Sequence, residues 1–343
     1  MKTKYLLLTV LGFAALGCAK SNTPSTGETA QEYLNLWMDK YHPGIAQNTD
    51  GIYILKDIPG SGKVWESDTA YSYLKVTVKG LDGVVTSTSD ENLSKQLGTY
   101  EPGDYYGPYY QATGQGASYA GLDAILSGMR VGGTREAVVP AWLITTNRYK
   151  THKEYMNAAS QSASLIYTVS LFGQTNDVSK TEVDSLKSYV TRHFGQVSPV
   201  SYDPDKEADG TFYFVSNANL FPEDDARTDK ASGTINYTGR LLNGQVFDTT
   251  IEKVAKDAGI YNAAKSYAPV SVSFASSWNS VTMGGSSSLI DGFKGGLYLM
   301  KYVGEKAVII FTSDHGYSTS GSGSSIPSWS PLQFEIELVT LSE

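Results

Sequence analysis

The chain has 343 residues, with 27 basic and 35 acidic side chains, a net charge of −8, 34 Gly, 24 Tyr and a single Cys. That length suggests about two domains, each able to bury a core, and a hydrophobic content of 41% excludes disorder. The acidic balance argues against nucleic acid or an anionic membrane surface as partner, and one cysteine excludes a disulfide framework, a cysteine zinc site and a CxxC redox pair.

At the N-terminus, Lys2 and Lys4 precede an apolar run, Tyr5–Leu16, too short to span a bilayer, and the small Gly17 precedes Cys18. This is a targeting segment. Ala15-Leu16-Gly17-Cys18 resembles the lipobox of bacterial lipoproteins, with Ala15 where leucine is usual. The resemblance implies that Cys18 is acylated, that residues 1–18 are a signal peptide ending at that cysteine, and that the lipid anchor holds the protein in the bacterial cell envelope, at the outer membrane. Residues 19–30 are small and polar, as a tether should be.

The remainder repeats itself. Each half opens with an amphipathic helix, marked by Tyr33, Leu34, Trp37, Met38 and Tyr41 in the first and by Val183, Leu186, Val190 and Phe194 in the second. Ser179-x-x-Glu182 fits a capping box for the second helix. Asp50-Gly51 and Asp209-Gly210 each introduce a strand. Alternating strands at Leu74–Gly80 and Thr234–Gly239 then lead into the turns Leu81-Asp82-Gly83 and Leu242-Asn243-Gly244. A short helix follows in each half, with stripes Tyr119, Leu122, Leu126, Met129 and Ile290, Phe293, Leu297, Met300, and alternating strands close at Ser164–Leu171 and Leu332–Leu341. Matching Gly80 to Gly239 and Met129 to Met300 requires extra residues in the second half, expected around Thr249–Ala268. The expected organisation is α+β, with domains at 31–176 and 206–343 and a linker helix in 177–205.

Chemistry-bearing constellations are sparse. His42, His152, His193 and His315 lack metal-ligand spacing, so no metal is expected. Ser313-Asp314-His315 places triad residue types side by side, whereas a triad needs them to converge from separate elements. Pro59-Gly60-Ser61-Gly62-Lys63 lacks the Ser or Thr of a phosphate loop, and the acidic run from Asp203 to Asp209 lacks the twelfth-position Glu of a calcium loop. No nucleophile–base pair emerges.

Ile235-Asn236-Tyr237-Thr238-Gly239, followed by Asn243-Gly244-Gln245-Val246-Phe247-Asp248, resembles the opening signature of FKBP-type peptidyl-prolyl cis-trans isomerases. Leu289-Ile290-Asp291-Gly292-Phe293, Val303-Gly304-Glu305-Lys306-Ala307, Ser313–Tyr317, Ile326-Pro327 and Leu332–Leu338 are similar to later motifs of that family, in order, across Ile235–Leu338. The resemblance implies two FKBP-like domains, each an antiparallel sheet curled around a short amphipathic helix. It also implies a pocket of catalytic residues Tyr237, Phe247, Asp248, Ile290, Phe293, Tyr317 and Phe334, with Val270 and Ile326 in the substrate-binding wall. Asp248 would sit at the edge, Ile290 would offer its backbone N–H to a substrate carbonyl, and Phe293 would stand where the family usually has Trp. No cofactor is implied, and the substrates would be proline-containing polypeptides.

The first half keeps the scaffold motif Met129–Arg135, but Val78 falls where the signature Tyr belongs, Thr86-Ser87 where Phe-Asp belongs, and Leu122 at the floor position. It is expected to be a degenerate domain without isomerase activity. Its Tyr100–Tyr110 segment reads either as rings packed on a sheet edge or as an exposed aromatic patch for polypeptide or glycan. The expected function is an extracytoplasmic folding factor with its site in the C-terminal domain. The rival is a non-catalytic lipoprotein that uses the same fold to bind polypeptide or glycan at the outer membrane.

Overall fold

The computed structural model describes residues 26–114, 119–145, 147, 149, 152–156 and 163–342. Residues 1–18, expected to be a signal peptide ending at Cys18, lie outside the described residues. The first half contains α1 (Thr26–Tyr41), β1 (Tyr53–Ile58), β2 (Tyr71–Gly80), β3 (Val85–Thr88), α2 (Glu91–Leu97), β4 (Tyr109–Ala112), α3 (Ala120–Leu126), β5 (Thr134–Val139), α4 (His152–Met156) and β6 (Leu165–Thr175). The second contains α5 (Val178–Phe194), β7 (Phe212–Ser216), β8 (Ser232–Leu241), β9 (Val246–Thr249), α6 (Glu252–Asp257), β10 (Val270–Ser273), β11 (Thr282–Met283), α7 (Asp291–Leu299), β12 (Lys306–Phe311) and β13 (Leu332–Ser342).

The two sheets have one topology. The first runs β1-β5-β6-β2, with β3 and β4 both on the free edge of β2; the second runs β7-β12-β13-β8, with β9 and β10 both on the free edge of β8. Every pairing is antiparallel. In each sheet one short helix, α3 or α7, buries its apolar stripe against the sheet's inner face: Leu122, Ile125 and Leu126 in the first core, Phe293 and Leu297 in the second. Two α+β domains of FKBP-like architecture result.

The hairpins after β2 and β8 explain the register. Gly80 N–H bonds the Val84 carbonyl and Leu241 N–H the Gln245 carbonyl, both at 2.9 Å, so each loop has three residues. Its third residue, Gly83 or Gly244, sits at φ +84° or +92°. That is the left-handed position of a three-residue hairpin with a bulge, which favours Gly, and both strand pairs shift register just beyond it.

Several expectations about organisation need correction. α1 begins at Thr26, inside the segment read as a tether, because Leu34 and Met38 anchor the helix on the outer face of the first sheet against Val138 and Ile166. In the same way α5 is part of the second domain rather than a free linker: Leu186 and Val190 pack on Tyr213 and Ile310, and Tyr202 enters the second core. The N-cap of α5 is Asp177, whose side chain accepts the Lys180 N–H, so Ser179-x-x-Glu182 is not a capping box. The extra residues do not lie at 249–268, since 20 residues separate β3 from β4 and β9 from β10 alike. They lie between β10 and α7, where 17 residues replace the 7 between β4 and α3.

Candidate active site

Alternation along β8 and β13 places Tyr237 and Phe334 on the inner face, where α7 delivers Phe293. The three rings meet there: Phe293 lies 4.7 Å from Phe334 and 5.3 Å from Tyr237 between centroids. Phe247, on β9, stands edge-on to Phe334 at 5.5 Å and 85°. Gly239 faces Phe334 across the β8–β13 ladder. A Cβ on it would sit 2.6 Å from Phe247 ring atoms and 2.8 Å from Phe334, so the ring pair demands glycine there. Ile326 is buried beside this group, and Tyr317 and Ile290 pack against it half-buried.

Polar groups are few and localised. The Tyr237 hydroxyl donates to Asp248 Oδ2 at 2.6 Å, and burial, with the Asp248 charge second, pushes its ionisation far above the ordinary tyrosine range. The other Asp248 oxygen accepts the Thr249 N–H at 2.9 Å and pairs with Lys265. Burial also raises the Tyr317 phenol. Ile290 is the N-cap of α7, and its carbonyl accepts the N–H groups of Phe293 and Lys294, both at 3.1 Å. Its own N–H has no partner among the described residues.

Eight of the nine residues expected at this site therefore come together; Val270 stands apart. It lies on the same face as Ile235, its cross-strand partner, but outside the group packed on the aromatic cluster. Missing from the sequence reading were Phe311, fully buried and stacked on Phe334 at 5.9 Å, and Lys265, the ionic partner of Asp248. The alternation of Lys306–Phe311 could have found the first. Nothing local to the sequence marks the second.

The Ser313-Asp314-His315 run points three ways. Ser313 bonds Glu182, Asp314 accepts from Ser179 Oγ at 3.0 Å, and His315 contacts Tyr202 through Nδ1 at 2.7 Å and Thr211 through Nε2 at 2.8 Å. No triad forms. Among the described residues no group of three or more His, Cys, Asp or Glu could hold a metal ion.

In the first domain the equivalent space is filled. Pairing of β2 with β3 places Val78 opposite Ser87, as Gly239 is opposite Asp248. Val78 therefore occupies the place of Gly239, and Val76, not Val78, that of Tyr237. Leu122 holds the floor position, and Tyr119 and Tyr167 pack 5.8 Å apart over it. The Tyr100–Tyr110 rings are half-buried rather than an exposed patch: Tyr100 stacks on Tyr106 at 5.3 Å, and Tyr110 packs at a tilt against Tyr73 at 4.8 Å.

The family model described as FKBP-type peptidyl-prolyl cis-trans isomerase matches residues 270–339. FK506-binding protein 1A of Aspergillus fumigatus is 32% identical over 106 residues, 31% of this chain and 73% of that protein. A peptidyl-prolyl cis-trans isomerase of Schizosaccharomyces pombe is 29% identical over 110 residues, 32% of this chain and 77% of its own length. A solved peptidyl-prolyl cis-trans isomerase of Pseudomonas syringae pv. tomato is 21% identical with a TM-score of 0.30, covering 48% of this chain and 96% of that one. A 32% identity sustained over 73% of a relative, with a family match running through Ile290, Phe293, Tyr317, Ile326 and Phe334, makes this chain a member of the FKBP-type peptidyl-prolyl cis-trans isomerases.

Proposed function

We propose that the isomerase works through the aromatic pocket of the C-terminal domain and that it serves as a lipid-anchored, extracytoplasmic folding factor acting on proline-containing polypeptides. The observation that carries the first part is the unpartnered Ile290 N–H beside the cluster of Tyr237, Phe293 and Phe334. Rotation about an X–Pro bond breaks no covalent bond, so it needs neither acid, base nor nucleophile. Its barrier is about 20 kcal/mol and the uncatalysed event takes tens of seconds. The twisted amide has lost its conjugation and much of its charge separation. An apolar pocket favours that form over the planar, more polar one, and each ~1.4 kcal/mol of preference gives about tenfold in rate. The Ile290 amide holds the carbonyl while the proline ring turns against Phe293, Phe334 and Tyr317.

The test is isomerisation of an X-Pro tetrapeptide by the full chain. Phe334→Leu and Tyr317→Ala should lower kcat/KM by about tenfold or more, and a wild-type rate equal to buffer would refute the site. The lipobox resemblance supports the anchor. A fatty-acid label incorporated into the wild type but absent from Cys18→Ala, with release of the variant from membranes, is the expected result. Labelling that persists in the variant would refute it.

A further inference from the structure

Tyr317 and Ile326 are joined by Ser318–Ser325, a loop that contains only Ser, Thr and Gly. Side chains that small bury little apolar area, so the entropy cost of ordering the loop has to be met by hydrogen bonds. At its base the Tyr317 carbonyl accepts the N–H groups of Ser320 and Gly321, at 3.1 and 3.2 Å, and Ser322 and Ile326 exchange bonds of 2.7 and 3.1 Å. The tip is held from the other domain. The Ser324 carbonyl accepts the Tyr105 N–H at 2.8 Å, and the Ser324 hydroxyl donates to the Asp104 carboxylate. Among the described residues, both hydrogen bonds of Ser324 therefore reach the segment between α2 and β4 of the first domain. That segment is gripped in turn by Gln245, two residues before Phe247, whose Nε2 donates to the Asp104 carbonyl at 2.9 Å. Asp104 thus ties the loop of Tyr317 and Ile326 to the hairpin that leads into Phe247 and Asp248.

We infer that Asp104 is a positioning residue of the isomerase site, and that the first domain, whose own pocket is filled, serves as a brace for the pocket of the second. The inference rests on the proposed C-terminal site. Asp104 touches no substrate; it acts through Ser324, by keeping Tyr317 and Ile326 beside the aromatic cluster. Without that hold the small-residue loop samples other conformations. Activity then falls in proportion to the fraction of molecules whose loop is in the competent one.

The experiment measures kcat/KM of the full chain on one X-Pro tetrapeptide, together with amide hydrogen exchange. Asp104→Ala should lower kcat/KM about fivefold. Asp104→Asn, whose side-chain carbonyl still accepts from Ser324, should keep about half or more of the wild-type value. Ser324→Ala should match the loss of Asp104→Ala, and it keeps the test decisive if Asp104→Ala fails to fold. The double variant Asp104→Ala/Ser324→Ala should be no worse than either single one, because both remove the same bond. In Asp104→Ala the Ser322 and Ile326 amides should exchange about tenfold faster while those of β13 are unchanged. Wild-type kcat/KM in both single Ala variants, losses that add in full in the double one, or Asp104→Asn no better than Asp104→Ala overturns the inference. A wild type inactive on the tetrapeptide refutes the site itself, and the inference falls with it.

Discussion

The carboxylate of Glu182 accepts both the backbone N–H and the hydroxyl of Ser313, at 2.7 and 2.8 Å. It ties α5 to the turn that carries Tyr317 four residues later. Glu182 is only 3% exposed, and burial pushes its carboxyl up to about 7, against the pull of the two Ser313 bonds. An acid whose folded pKa is raised stabilises most when neutral. Its contribution is full below about 4.5 and is lost as the pH climbs through about 7, a change of at most ~3 kcal/mol. His315, whose pKa burial lowers, acts with the opposite sign in the same range. The clean measurement is therefore the difference between wild type and Glu182→Gln in urea unfolding from pH 5 to 8: the wild type should lose stability relative to the variant as pH rises. Parallel curves would show that Glu182 is ionised throughout.

Gly239→Ala puts a methyl where Phe247 and Phe334 already meet. Overpacking of this kind costs about 1–3 kcal/mol, and displacement of either ring should cut isomerase activity. Urea midpoints and kcat/KM measured together check it; an unaltered kcat/KM would mean that the Phe247–Phe334 edge contact is dispensable.

Phe334 touches the rings of Tyr237, Phe247, Phe293 and Phe311. Phe334→Ala should destabilise by about 3–5 kcal/mol, since the void it leaves is walled by a β-sheet and a helix that cannot close on it. Leu at the same position should recover more than half of that loss by filling most of the volume. Chemical denaturation distinguishes the two.

Tyr237→Phe deletes the hydroxyl that Asp248 accepts at 2.6 Å. A hydrogen bond to a charged acceptor makes this loss about 1.5–3 kcal/mol. Lys265→Ala removes the other partner of Asp248, but both side chains of that pair are over a third exposed, so the loss should stay below ~1 kcal/mol and shrink with added salt. Thermal melts at two ionic strengths separate these costs.

The helix stripes, hairpin ends and aromatic set of the second domain were legible because each is written within a few residues. Examples are Phe293 and Leu297 four apart on α7, Asn243-Gly244 closing a three-residue loop, and Tyr237 two before Gly239 on one strand. Errors arose wherever a partner lay far away. Glu182 resembles a capping residue at local range, yet its partner Ser313 is 131 positions distant. Val78 aligns with Tyr237 when Gly80 is matched to Gly239, but the closing bonds of the two hairpins pair Gly80 with Leu241, so Val78 takes the place of Gly239. A shift of that kind is invisible without the ladder, because hydrophobic alternation is unchanged by two residues.

By itself, then, the sequence determined two β-rich repeats and the isomerase family of the second, since short-range pattern and turn chemistry specify elements and their faces. Tertiary structure decided the strand registers, the filling of the first pocket by Tyr119 and Tyr167, the anchoring of α5 through Glu182, and the hold of Asp104 and Tyr105 on Ser324 of the second domain. These depend on groups far apart in the chain, or on whole ladders, and such contacts become favourable only once the intervening chain has folded and its closure cost has been met.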